Sequence, residues 1–123
     1  MKKRILLVED EKDLVMAVTF RLEDAGYEVI TDSDGEEGLG KAKSEKPDLI
    51  ILDLMLPKMN GYRVCSLLKN DKSSSAIPII MFTARARFVD KKMSEDAGAD
   101  AYITKPFKSQ ELLSKIEELL GAQ

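Results

Sequence analysis

Short apolar runs alternate along the chain with longer segments in which apolar residues recur at helical spacing. Residues 5–8, 49–52 and 79–82 form unbroken apolar runs that are too short for helices and are typical of strands buried on both faces. Residues 27–30 and 101–104 are predicted as two further strands, because each is a short apolar or aromatic segment next to turn residues. The pattern therefore predicts five strands.

One helix is predicted after each of the five strands. The first carries an apolar stripe over residues 14–25 and ends at Gly26, a residue that commonly terminates helices. Asp34 followed by Glu37 resembles a capping box and opens the second helix. The remaining helices are predicted around residues 64–68, 87–97 and 112–120.

Regular alternation of strands and helices predicts an α/β fold, with a mostly parallel five-stranded sheet covered by helices on both faces. Because crossovers between parallel strands are right-handed, helices on both faces require the strand order to reverse within the sheet. Ligands of such doubly wound sheets bind beyond the carboxyl ends of the strands, near that reversal. The chain has 123 residues and contains no internal repeat, so residues 1–123 are predicted to form one domain.

Charge and composition exclude several classes of function. The chain has 19 Lys and Arg against 22 Asp and Glu, a net charge of −3 and no basic block. Direct binding to nucleic acid or to an anionic membrane is therefore not expected. The apolar run at residues 5–8 is too short for a signal peptide or a membrane span, so a soluble, cytoplasmic protein is expected.

Two residue types limit the chemistry further. The chain has no histidine, which excludes histidine-based catalysis, histidine metal ligands and phosphohistidine formation within these residues. It has one cysteine, Cys65, which cannot form an internal disulfide and fits a reducing compartment. We interpret Cys65 as a small packed core residue of the third helix.

The residues at the ends of the apolar runs carry the candidate chemistry. Glu9 and Asp10 follow the first predicted strand, and Asp53 comes at the end of the third. Thr83 comes at the end of the fourth strand, and Lys105 follows the fifth. Taken singly, each has an ordinary explanation as a turn residue, a helix-end charge, a backbone-bonded hydroxyl or a surface cation. A single site at one edge of the sheet explains all of them together.

Three crowded carboxylates and one ammonium group point to phosphoryl chemistry. The carboxylates repel one another and Lys105 compensates only one of them, so a hard divalent cation such as Mg²⁺ is expected. A carboxylate beside Mg²⁺ and a lysine can attack a phosphoryl group and become an aspartyl phosphate. Asp53, at the end of a buried strand, is the best placed to attack, and an ionised carboxylate needs no general base.

The same residues match the motifs of a known family. Its motifs correspond to residues 8–11, 52–57, 60–61, 82–85 and 97–107. The chain thus resembles a response-regulator receiver domain over residues 4–120, and the resemblance implies the CheY-like (flavodoxin-like) fold with strand order 2-1-3-4-5. In motif detail, Met55 and Arg85 are most similar to receivers of the OmpR/PhoB transcription-factor branch.

The resemblance implies a role for each matching residue. Asp53 would be the phosphoacceptor. Asp10, Asp53 and the backbone carbonyl of Met55 would bind Mg²⁺ directly, and Glu9 would act on the ion through water. The implied phosphate-contacting and switch residues are Thr83, Ala84, Tyr102 and Lys105. The Lys105–Pro106 peptide bond is expected to be cis. The switch would alter the face formed by the fourth helix, the fifth strand and the fifth helix.

The resemblance also implies partners. The phosphoryl donor would be a histidine kinase or a histidine phosphotransfer protein, and the recipient of the signal a downstream target protein or an output domain. The chain would catalyse its own phosphorylation and slow dephosphorylation without turning over an outside metabolite. Lys91 and Glu111 suit a charge pair across a receiver dimer, whereas Glu95 replaces an apolar contact and Ala101 and Ala122 supply no charge. A monomer or a weak phosphorylation-dependent dimer is therefore expected.

Three other functions are compatible with parts of the pattern. A Mg²⁺-dependent phosphatase with Asp53 as nucleophile would need a second aspartate where Met55 stands. A flavin carrier would need a phosphate-cradling loop where the acidic residues 9–11 lie. A binding module that keeps the fold but works without phosphorylation is the third alternative.

Overall fold

The structure of the protein, a computed structural model, describes residues 2–84 and 87–121. The branch-typical Arg85 and the dimer position Ala122 lie outside the described residues. No helix within the described ranges is long and apolar enough to cross a membrane.

One parallel sheet forms the centre of the fold. Its strands are β1 (Arg4–Val8), β2 (Glu28–Asp32), β3 (Leu49–Asp53), β4 (Ile79–Thr83) and β5 (Ala101–Thr104). They pair in parallel in the order β2-β1-β3-β4-β5. β3 and β4 are buried along their whole length, as is β1 after its first residue. This burial explains their continuous apolar runs. The predicted fold class and strand order are confirmed.

Five helices follow the strands: α1 (Lys12–Asp24), α2 (Gly35–Glu45), α3 (Gly61–Lys69), α4 (Phe88–Asp96) and α5 (Ser109–Gly121). Two of them begin at side-chain caps. Oδ1 of Asp34 accepts a hydrogen bond from the backbone N–H of Glu37 at 2.8 Å, and Oδ1 of Asn60 accepts one from Arg63 at 3.0 Å. These bonds satisfy backbone donors that the first helical turn leaves unpaired.

The sheet separates two apolar cores. One core packs β-strand residues against buried side chains of α2 and α3, including Ala42, Val64 and Cys65. The other packs them against buried side chains of α1 and α5, including Leu22 and Ile116. Burial raises the pKa of the Cys65 thiol to about 11, as befits a packed core residue.

Candidate functional site

The strand order brings the acidic residues together. The chain leaves β1 for one edge strand and leaves β3 for the other side of the sheet, so the order reverses between these two central strands. Val8 of β1 pairs with Leu52 of β3, and the next residues along the two strands are Glu9 and Asp53. The two carboxylates therefore leave the sheet side by side at its carboxyl edge.

Glu9, Asp10 and Asp53 form a compact acidic cluster. Each offers one carboxylate oxygen, and the three oxygens lie within 4.8 Å of one another. Glu9 is 2% exposed and Asp53 is 5% exposed, whereas Asp10 is open to solvent. Burial raises the pKa of Glu9, and the charge of Asp53 adds to this effect, although hydrogen bonds from Lys105 and Glu11 oppose it. The cluster therefore favours a bound cation.

Lys105 brings a positive charge to the cluster. Its ammonium group donates a hydrogen bond to Oε1 of Glu9 at 2.6 Å and lies 3.5 Å from Oδ2 of Asp53. One ammonium thus contacts two carboxylates, although it balances only one negative charge. The backbone N–H of Lys105 donates to the carbonyl of Thr83 at 2.7 Å, and the Lys105–Pro106 peptide bond is cis.

The loop after β3 folds back over Asp53. The backbone N–H of Met55 donates to Oδ1 of Asp53 at 3.2 Å, which brings the Met55 peptide to the site while its side chain is 56% exposed. The N–H of Gly61 donates to the carbonyl of Leu54 at 2.9 Å, and a Cβ on Gly61 would clash with the carbonyl oxygen of Asp53. Glycine is required here because the start of α3 presses against the loop.

The predicted switch residues lie at different depths. Thr83 is fully buried at the end of β4, and Ala84 is exposed directly after it. Tyr102 pairs with Met81 on the neighbouring strand, two positions before the end of β4, and packs half-buried against the core shared with α2 and α3. Thr83 and Ala84 therefore lie at the carboxyl edge, whereas Tyr102 lies beside the sheet rather than in the acidic cluster.

Two aromatic residues near Lys105 were not singled out from the sequence. The Lys105 ammonium lies 4.9 Å from the centre of the Phe82 ring. Phe82 in turn packs edge-on against Phe107, with ring centres 4.8 Å apart and an angle of 69° between the ring planes. Both aromatics lie within the matched motifs, one residue before Thr83 and two after Lys105, which was the available signal.

The donor set fits a hard divalent cation. The clustered candidate ligands are all carboxylate oxygens. The predicted fourth ligand, the backbone carbonyl of Met55, belongs to the residue whose N–H contacts Asp53. Mg²⁺ prefers such ligands and keeps several waters, for which the exposed side of Asp10 leaves room. The arrangement can therefore hold Mg²⁺ and a phosphoryl group between Asp53 and Lys105.

Comparison with known proteins decides the family. The sequence model of the response regulator receiver domain family matches residues 5–117 of this chain. The chain belongs to the response regulator receiver family. It is thus a receiver domain of two-component response regulators, which is not a family of catalytic enzymes in itself, and such domains interact with histidine kinases.

Similar proteins agree with this family. The chain is 48% identical over 120 residues to the alkaline phosphatase synthesis transcriptional regulatory protein PhoP of Bacillus subtilis, covering 98% of this chain and 49% of PhoP. It is 45% identical over 120 residues to the response regulator ArlR of Staphylococcus aureus, covering 98% of this chain and 53% of ArlR. Both belong to the OmpR/PhoB family, which confirms the predicted branch. The chain spans about half the length of these relatives.

Solved receiver structures have the same fold. A putative response regulator from Chloroflexus aurantiacus superposes with a TM-score of 0.94 at 32% identity, covering 98% of this chain and 99% of that one. The receiver domain of the sensor histidine kinase PA1611 from Pseudomonas aeruginosa has a TM-score of 0.91 at 30% identity, with coverage of 98% and 99%. The latter protein has a magnesium ion coordinated in its active site cleft.

Proposed function

We propose that Asp53 accepts a phosphoryl group from the phosphohistidine of a histidine kinase or of a histidine phosphotransfer protein. The observation that carries this proposal is the position of Asp53. Its carboxylate is 5% exposed at the end of a central strand, lies 3.5 Å from the Lys105 ammonium, and shares the acidic cluster with Glu9 and Asp10. A nucleophile fixed on a rigid strand reacts without first paying for its own ordering.

The transfer exchanges one bond to phosphorus for another. A carboxylate oxygen of Asp53 attacks phosphorus, an O–P bond forms, and the N–P bond of the donor phosphohistidine breaks with its electron pair returning to the imidazole. Asp53 needs no general base because it attacks as the ionised carboxylate. The Lys105 ammonium, already within 3.5 Å of Oδ2, stabilises the negative charge of the phosphoryl oxygens.

We assign direct Mg²⁺ binding to the side chains of Asp10 and Asp53 and to the backbone carbonyl of Met55, with Glu9 acting on the ion through water. Bound there, the ion would offset the repulsion within the cluster and neutralise charge on the phosphoryl group. The chain orients these side chains itself. Oε2 of Glu9 accepts a hydrogen bond from the backbone N–H of Glu11 at 3.0 Å, and the Met55 N–H fixes Oδ1 of Asp53 at 3.2 Å.

Phosphorylation then changes the face formed by α4, β5 and α5. Thr83 and Ala84 are the residues that would respond to the new phosphate, and Tyr102 on β5 would carry the change along the strand. The support for this route is the bond from the Lys105 N–H to the Thr83 carbonyl, which ties the ends of β4 and β5 together. A phosphoryl group adds little net charge, so the response depends on elements with two arrangements.

In this proposal residues 1–123 act as one receiver domain. The domain phosphorylates itself from the donor and slowly loses the phosphate, and it acts on no outside metabolite. The altered face controls an output domain or a separate target protein, as a monomer or a weak phosphorylation-dependent dimer, without direct contact to nucleic acid or membrane. In this proposal the exchange takes place in the cytoplasm.

The test is phosphoryl uptake from acetyl phosphate with Mg²⁺, measured as acid-labile phosphate bound to the chain. We expect uptake by the wild type and none by Asp53→Asn. Asp34→Asn is the matched control, because Asp34 is also a buried carboxylate, only 7% exposed, and asparagine caps a helix as well as aspartate does. Normal uptake by Asp53→Asn would overturn the proposal.

A further inference from the structure

The Lys105 ammonium lies near three described residues of two chemical kinds. Two are the carboxylates of Glu9 and Asp53, at 2.6 and 3.5 Å. The third is the aromatic ring of Phe82, whose centre lies 4.9 Å from Nζ. The Lys105 side chain is only 17% exposed, so this contact lies in a partly desolvated environment where a cation interacts strongly with an aromatic face.

The ring is the neighbour that phosphorylation leaves unchanged. On the proposed function, the negative charge of Asp53 moves from its carboxylate to the phosphoryl oxygens, and the charge of Glu9 is partly offset by a cation. The electrostatic attraction between Lys105 and each carboxylate therefore becomes weaker. An aromatic ring neither ionises nor binds Mg²⁺. It therefore attracts the ammonium equally before and after the transfer.

Phe82 is itself held firmly. It is fully buried in β4, where it pairs with Asp53 on one side and with Ile103 on the other. Phe107, two residues after Lys105, packs edge-on against its ring at 4.8 Å. The register thus puts the ring beside the phosphoacceptor, and the second aromatic side chain limits the directions in which it can move.

We propose that Phe82, supported by Phe107, is a positioning residue that holds the Lys105 ammonium within reach of a phosphoryl oxygen on Asp53. This inference rests on the proposed function of Asp53, which it deepens. Phe82 touches no reacting atom and acts through Lys105. In its absence the four-carbon stem of Lys105 gains freedom, and the ammonium spends less time at the phosphoryl position.

The first test needs neither metal nor phosphate. Ring currents shift the ε-methylene NMR signals of a lysine that lies over an aromatic face upfield. We expect this shift for Lys105 in the full chain, and its loss in Phe82→Leu. Ile80→Val is the control, because Ile80 is fully buried on the same strand and in the same core but carries no ring. Unchanged Lys105 signals in Phe82→Leu would overturn the proposal.

The second test measures binding of beryllofluoride with Mg²⁺, a mimic of the acyl phosphate. We expect roughly three- to tenfold weaker binding by Phe82→Leu, and wild-type binding by Ile80→Val. Phe107→Leu, at a half-buried position, provides a milder second variant with a smaller loss in the same direction. In a Lys105→Met background, Phe82→Leu should cause no further loss, because there is no ammonium left to position.

The outcomes distinguish a failure of the positioning role of Phe82 from a failure of the proposed function of Asp53. An equal loss from Phe82→Leu with and without Lys105 would show a merely structural role and overturn the positioning assignment. A wild-type chain that binds no beryllofluoride would contradict the proposed function of Asp53. The ring-current comparison would in that case still decide whether Phe82 holds the ammonium.

Discussion

Replacing Asp53 by asparagine is expected to stabilise the metal-free protein. The change removes one negative charge from a cluster whose oxygens lie within 4.8 Å of one another, and it keeps the size of the side chain. Asparagine also keeps an oxygen that can accept the 3.2 Å hydrogen bond from the Met55 N–H. The substitution therefore tests the electrostatics of the cluster with little change in packing.

The distances give the expected magnitude. The carboxylate oxygens of Glu9 and Asp53 lie no more than 4.8 Å apart, and two charges at that limit repel by about 3.5 kcal/mol at an effective dielectric constant of about 20. The Lys105 ammonium, 3.5 Å from Asp53, attracts it by about 4.7 kcal/mol on the same scale. Repulsion from the solvent-exposed Asp10 adds about 1 to 3.5 kcal/mol. The remaining net repulsion and the cost of burying the charge predict a stabilisation of about 1–2 kcal/mol.

Thermal unfolding followed by circular dichroism in EDTA measures this effect. A gain of 1 kcal/mol raises the Tm of a domain of this size by about 4 °C. Glu23→Gln, at an exposed position of α1, changes the net charge equally and should leave the Tm nearly unchanged. Added Mg²⁺ should raise the Tm of the wild type more than that of Asp53→Asn. An Asp53→Asn protein that unfolds at or below the wild-type temperature in EDTA would refute the reasoning.

Two further predictions concern α2 and α3, which pack on the same face of the sheet. In α2, a Cβ on Gly38 would lie 2.7 Å from Cγ1 of Val8, so Gly38→Ala should destabilise by about 1–3 kcal/mol in urea unfolding. Gly40→Ala, where no atom lies within 4 Å, should instead stabilise by about 0.5–1 kcal/mol; the opposite order would contradict the packing of α2. In α3, Cys65 is fully buried with a thiol pKa of about 11, so a thiol reagent at pH 8 should label it slowly in buffer and rapidly in urea. Equal labelling rates would show that the core opens there.

The apolar pattern predicts the central strands well and the edges of elements less well. β3 and β5 lie within one residue of the predicted segments. β2, predicted over residues 27–30, extends over Glu28–Asp32, because pairing with β1 and not its apolar content sets its ends. α1 begins at Lys12, two residues before the apolar stripe, since the exposed polar residues Lys12 and Asp13 lie outside any apolar pattern. α5 ends at Gly121, one residue beyond the predicted segment.

The site could be predicted as a set of residues but not as a geometry. Carboxyl ends of parallel strands meet at one edge, so the composition of that edge follows from the strands alone. The strand order came from family resemblance, and the side-chain contacts depend on register. The placement of one Lys105 ammonium between two carboxylates and over the Phe82 ring follows from pairings such as Asp53 with Phe82, which apolar periodicity does not reveal.

The central claim is that Asp53 carries the phosphoryl group, and chemical mapping tests it most directly. The full chain is phosphorylated with acetyl phosphate and Mg²⁺ and then treated with borohydride, which reduces an aspartyl phosphate to homoserine. Peptide mass spectrometry locates the converted residue. The proposed mechanism predicts homoserine at position 53. Conversion at Asp10 or at any other carboxylate, or no conversion at all, would contradict it.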